Sequence, residues 1–135
     1  MSAIVDPTGE LTWTQLLAAK SHATNNVGSN GLDTRQYVGK LAVHVNIGVK
    51  SAGDNDGTVN VVVRASADNT IANATNIVGA TTNAVATTNN TAASGTIQFD
   101  TRAEYRYLHA LVTLTGTNSP AYPIGVTVAG QKRSV

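Results

Sequence analysis

The chain has 135 residues, no cysteine, nine basic and eight acidic residues, and a net charge of +1. That length suits one domain, which hides about two-thirds of the surface its unfolded chain exposes, so one core forms without metals or disulfides. The missing cysteines exclude disulfides, thiolate nucleophiles and zinc–thiolate sites, and the sparse, balanced charge argues against a nucleic-acid binder, which gathers Lys and Arg on one face.

Residues 1–10 read as an irregular leader with a turn at Asp6-Pro7. They lack the basic and apolar regions of a secretory signal, and no run reaches the ~18 apolar residues of a membrane helix. The absence of cysteine fits synthesis in a reducing cytoplasm. Without a leader, the sequons at Asn73 and Asn89 read as chance matches in an Asn/Thr-rich chain. Thr12 and Gln15 have capping-box spacing, and Trp13, Leu16 and Leu17 share one helical face. This predicts at most one short N-terminal helix, extended by Ala18, Ala19 and Lys20, although the same residues also suit a short strand. Residues 21–33 are turn-rich, with Asn30-Gly31 the clearest turn. Residues 1–31 are therefore expected to form an arm and 32–135 the folded domain.

Val and Thr are abundant and favour strands, while Asn and Gly favour turns. Over 40–49, Leu41, Val43, Val45, Ile47 and Val49 alternate with Ala42, His44, Asn46 and Gly48, predicting a strand with a named buried face. A second strand over 58–66 points Val59, Val61, Val63 and Ala65 inward. The Gly/Asp-rich link between them suggests an antiparallel hairpin. Residues 67–93 alternate weakly and suggest short strands near 71–79 and 82–87, then an Asn/Thr loop near 88–94. Ile97 and Phe99 mark a strand over 95–100. Residues 105–115 are apolar on both alternating sets, so something must cover both faces of that strand. After a turn at 116–120, Ile124, Val126 and Val128 mark a last strand over 122–129. Seven or eight short strands without βαβ alternation predict an all-β fold, an antiparallel β-sandwich or jelly roll.

Chemistry is sparse. Asp54-Asn55-Asp56-Gly57 lacks the twelve-residue calcium-loop pattern and reads as a turn. His22, His44 and His109 are too far apart in sequence to suggest a metal site. There is no G-x-S-x-G elbow, no phosphate loop and no obvious carboxylate pair, so no catalytic residue, cofactor or metal ligand is assigned. A hydrolase whose triad assembles only in space is the enzymatic rival. The Lys132-Arg133 pair reads as a solvated tail. The scarcity of surface charge hints at life inside an assembly. Trp13, Leu16, Leu17, Tyr105, Tyr107 and His109 are apolar or aromatic where a simple sandwich does not need them, which nominates them as interface residues. On that reading, changing Tyr105 and Tyr107 to Ser releases monomers without unfolding them.

Asp33-Thr34-Arg35 with Tyr37-Val38-Gly39 leads into the first strand, and Tyr105-Arg106-Tyr107-Leu108 opens a later one. With "GTVNVVVRASADN" and the closing "VTVAGQKR", this order over 32–133 resembles small virion structural proteins of tailed bacteriophages, including capsid decoration, or cement, proteins. The segment "ASADNTIANATN" departs from the family in lacking an aromatic. The resemblance implies a non-enzymatic sandwich or jelly roll bound to the capsid surface of the virion. It implies a homotrimer, with the major capsid protein as partner and neither nucleic acid nor membrane involved. The alternative is a carbohydrate- or receptor-binding module of a phage fibre or tail, presenting Tyr37, Tyr122 and the loop near 88–94 in an open groove.

Overall fold

The computed structural model describes residues 11–22, 26–27, 31–50, 57–88, 91–116 and 121–132. The expected leader, the Asp54–Asp56 loop, Asn30, most of the 116–120 turn and Arg133 lie outside the described residues. The first half contributes strands β1 (Leu11–His22), β2 (Asn26–Val27), β3 (Leu32–Asp33), β4 (Tyr37–Ile47) and β5 (Thr58–Ser66). The second half adds β6 (Thr75–Asn76), β7 (Ala84–Thr88), β8 (Ala93–Asp100), β9 (Tyr107–Thr115) and β10 (Tyr122–Lys132). Three single 3₁₀ turns lie at Thr34–Gln36, Ile71–Asn73 and Ala103–Tyr105, and no α-helix occurs among the described residues.

The strands form two antiparallel sheets. The first has the order β1-β10-β4-β8. In the second, β9 and β5 are central, β2 and β3 share the outer edge of β9, and β6 and β7 share the outer edge of β5. Counting each shared edge once gives eight positions, four per sheet, in jelly-roll order. The chain changes sheet at most connections; the links from β2 to β3 and from β5 through β6 to β7 stay within one.

The crossovers follow from the sequence pattern. Leu41, Val43, Val45 and Ile47 of β4, and Val59, Val61, Val63 and Ala65 of β5, are all buried. They meet Ile97 and Phe99 of β8, Leu108, Ala110 and Val112 of β9, and Ile124, Val126 and Val128 of β10 in one core. A one-residue slip of β4 would turn four large apolar side chains to water at once, a loss of roughly 6–12 kcal/mol at the usual cost per side chain. The alternation therefore fixes register as well as fold.

Three expectations are corrected. Residues 40–47 and 58–66 do not pair as a hairpin: β4 lies between β10 and β8, and β5 lies between β9 and β7. Each strand has one fully apolar face, and two such faces are both covered when their strands sit in opposing sheets. Val49 lies beyond the end of β4 and is exposed.

The expected helix near 12–20 is an edge strand, so residues 11–22 belong to the sandwich and not to an arm. Its pairing with β10 is irregular between Gln15 and Leu17 and again between Leu17 and Lys20. Each irregularity inserts one residue, as a β-bulge does. Thr14 and Leu17 thus both face the core side, opposite Val128 and Val126, and Leu16 packs against the core from the bulge. The first bulge places two consecutive residues, Leu16 and Leu17, against the core, which imitates the spacing of a helical face. The Thr14 hydroxyl, 2.8 Å from the Tyr37 hydroxyl, ties the strand to the sandwich.

The vague stretch 67–93 holds less regular structure than expected, with a 3₁₀ turn, two residues of β6 and five of β7. Strand β9 begins at Tyr107, because Ala103–Tyr105 forms a 3₁₀ turn.

The second face of β9 is covered by the chain itself at His109, while Tyr107 and Leu111 beside it are half-buried. His109 is fully buried there, with its Nε2 2.9 Å from the Ser66 hydroxyl on β5. Gly31 lies over this pair, its N–H donating to Asn69 Oδ1 at 2.8 Å. Asn69 holds the left-handed φ of 58° that its short amide side chain tolerates. A Cβ on residue 31 would stand 2.6 Å from Asn69 Oδ1, 2.8 Å from His109 Cε1 and 2.8 Å from Tyr107 Cβ. Gly31→Ala is therefore expected to destabilise the fold by about 1–3 kcal/mol, the usual cost of overpacking. Urea unfolding with an unchanged slope and a lower midpoint checks this.

Candidate interaction surface

The six residues nominated from sequence part company. Leu17 and Tyr105 belong to the core, Leu16 packs against it, and His109 is sealed beneath Gly31. Tyr107 is half-buried, with the Arg106 guanidinium carbon 4.7 Å from its ring centroid. Trp13 alone stands open, 65% exposed, and it is the only exposed aromatic.

The sheet positions it. Trp13 pairs with Ala129 of β10, which pairs with Ala42 of β4, which pairs with Gln98 of β8. The next row outward runs Gln15, Thr127, His44 and Thr96, with His44 Nδ1 3.3 Å from the Thr96 hydroxyl. Small residues leave a trough of about 330 Å³ beside the indole, bounded by Trp13, Lys40 and Gln98. Among the described side chains this outer face carries formal charge at Lys40 and Asp100, which are cross-strand neighbours on β4 and β8 at one end. It is rich in amides and hydroxyls and holds one large apolar side chain clear of the core.

The groove expected for sugar binding does not form around its named tyrosines. Tyr37 and Tyr122 are both fully buried, because each begins a strand whose first inward position it occupies. Residues 89–90 of the expected loop lie outside the described residues. Among the described residues no three His, Cys, Asp or Glu side chains gather as a metal site would require.

A second feature was not read from the sequence. The tripeptide Asp-Thr-Arg occurs at 33–35 and again at 100–102, and the fold brings the two copies to one cleft with Arg106. The Thr34 hydroxyl donates to the carbonyls of Tyr105 and Arg106, at 3.1 and 2.9 Å, and its N–H also donates to Arg106 at 2.7 Å. The Thr101 N–H and hydroxyl both donate to the Gly39 carbonyl, each at 3.0 Å. Asp33 Oδ1 accepts from the Arg35 N–H, and its Oδ2 bridges Arg35 Nη2 at 3.1 Å and Arg106 Nη2 at 3.3 Å. The repeated tripeptide was the available signal, since each copy follows an extended segment with a short polar brace and a guanidinium.

Partial burial pushes the Asp33 carboxyl up, but hydrogen bonds from the Arg35 backbone and side chain and from Arg106 outweigh it and hold it below the usual carboxylate range. A depressed folded pKa stabilises the protein fully above the unfolded value of about 3.9, and that contribution is lost as pH falls through the folded value. Asp33→Asn lacks it. The melting temperatures of the two proteins are expected to differ at pH 6 and to converge as pH falls from about 4 towards 2, read by calorimetry across that range.

No known protein-family model matches the chain, and no curated protein matches it in sequence.

Proposed function

We propose that this chain is a structural virion protein, a decoration or cement protein that binds the outside of an assembled bacteriophage capsid. In this reading it is a homotrimer whose partner is the major capsid protein, and the outer face of the β1-β10-β4-β8 sheet rests on the shell. The observation that carries the reading is Trp13, held out of a complete core on a sparsely charged face of small residues. Tryptophan is prominent among the residues that dominate binding energy at protein interfaces. Jelly rolls also serve widely in virion shells.

The mechanism is linkage. A protein that binds the assembled lattice and not its separated subunits stabilises the lattice by mass action. Three linked copies engage neighbouring subunits together, so rupture of the shell must break several contacts at once. No reacting group is required.

Particles assembled with this chain and imaged by cryo-microscopy test the proposal. Jelly-roll density on the outer shell, with the Trp13 face turned towards capsid subunits, is expected. Density confined to a tail or fibre would reject the capsid role. The carbohydrate- or receptor-binding alternative has lost both of its nominated tyrosines to the core and is weaker for it.

A further inference from the structure

We propose that the cleft between the two Asp-Thr-Arg segments is a binding site for a tetrahedral oxyanion of the phosphate class. The cleft measures about 490 Å³ and is lined by Arg35, Arg102 and Arg106 with Thr34 and Thr101. Its three guanidinium groups come from separate points of the chain: the 3₁₀ turn after β3, the link after β8, and the residue before β9.

Three observations carry the site. First, among the described residues these three arginines pair with two acids. Asp33 is shared by Arg35 and Arg106, and Glu104 lies 3.8 Å from Arg102, beyond hydrogen-bond length. Second, the backbone beneath is braced by five hydrogen bonds from Thr34 and Thr101, all at or below 3.1 Å, so the arginine stems start from fixed positions. Third, Arg106 is already oriented. Its guanidinium lies over the Tyr107 ring and its Nη2 is held by Asp33, while its buried Nε has no hydrogen-bond partner.

The donor set selects the ligand class. Guanidinium forks match the paired oxygens of phosphate and carboxylate. Arg35 spends its Nε and Nη2 on Asp33, so recognition is led by the guanidiniums of Arg102 and Arg106, which come from different elements and suit an anion with oxygens in several directions. The two threonine hydroxyls are spent on backbone carbonyls, so recognition falls to the arginines. This site is separate from Trp13 and does not depend on the capsid reading.

Titration of the ¹⁵N-labelled protein with inorganic phosphate, at ionic strength held constant with sodium chloride, tests it through the arginine Nε–H resonances. The Arg106 Nε–H is expected to shift saturably. Arg102→Gln, at an exposed position, is expected to leave the melting temperature unchanged and to weaken phosphate binding at least tenfold, the loss of one charge-assisted contact. Arg102→Lys restores part of it. A parallel titration with succinate separates the two oxyanion chemistries, and saturation by succinate alone would overturn the phosphate assignment. Linear shifts that sodium chloride reproduces, or unchanged affinity in both Arg102→Gln and Arg35→Gln, would overturn the site itself.

Discussion

Replacing Tyr105 with Ser is expected to cost roughly 3–5 kcal/mol, the usual penalty for emptying a buried aromatic position. Tyr105 lies in the 3₁₀ turn before β9, only 7% exposed and part of the core. Its hydroxyl also accepts the Val78 N–H at 3.0 Å, which pins the 77–80 segment to the body of the sandwich. Truncation therefore leaves a cavity and frees a loop together. For a domain of this size the melting temperature should fall by roughly 10–20 °C. Tyr105→Phe keeps the ring and gives up one hydrogen bond, so its cost should stay near 0.5–1.5 kcal/mol. Calorimetry on both variants checks the pair. The outcome expected from sequence, a folded monomer released by serine at Tyr105 and Tyr107, is replaced by a loss of stability at Tyr105.

Trp13→Ala should do the reverse. The indole is 65% exposed and the core is complete without it, so the free protein should change in stability by no more than about 0.5 kcal/mol. Binding to shells should weaken by at least about 2 kcal/mol, roughly thirtyfold, as expected for a tryptophan at the centre of an interface. The mass of the isolated protein should stay that of the wild type, because the proposal seats Trp13 on the shell and not between copies of the chain. Co-sedimentation with assembled shells gives the affinity and light scattering gives the mass. Equal binding by both proteins would remove Trp13 from the contact.

The fold was most legible where alternation was strict. In β4, β5 and β10 each inward residue named from sequence, Val49 excepted, is buried in the structure. Alternation reports burial, and burial on one face is what a sandwich strand needs. It says nothing of which strands neighbour each other. The supposed hairpin of β4 and β5 failed for that reason: the same apolar pattern suits paired strands in one sheet and facing strands in two. At β1 the signal was misleading because the bulge between Gln15 and Leu17 brought Leu16 and Leu17 to the core together, a spacing that a helix also gives.

The candidate surfaces were less legible, and for a different reason. Apolar residues on both sets of β9 looked like an uncovered face, but Gly31 and Asn69 return from distant parts of the chain to cover His109. A covering contact between residues 38 positions apart leaves no local trace in sequence. Trp13 was nominated with five partners, and the structure leaves it as the one fully open member of the set. The arginine cleft was written in the chain as a repeated tripeptide, but only the fold shows that the copies face a shared space.

Trp13 is the only tryptophan in the chain, so its fluorescence reports the proposed contact face alone. The most direct test measures emission and acrylamide quenching of the free protein and of the protein mixed with assembled capsid shells. The free protein should emit as a solvated indole and quench readily. On the shell, the emission should move to the blue and the quenching should fall. Emission that stays solvated while the protein co-sediments with shells, or a protein that binds no shell at all, would contradict the account.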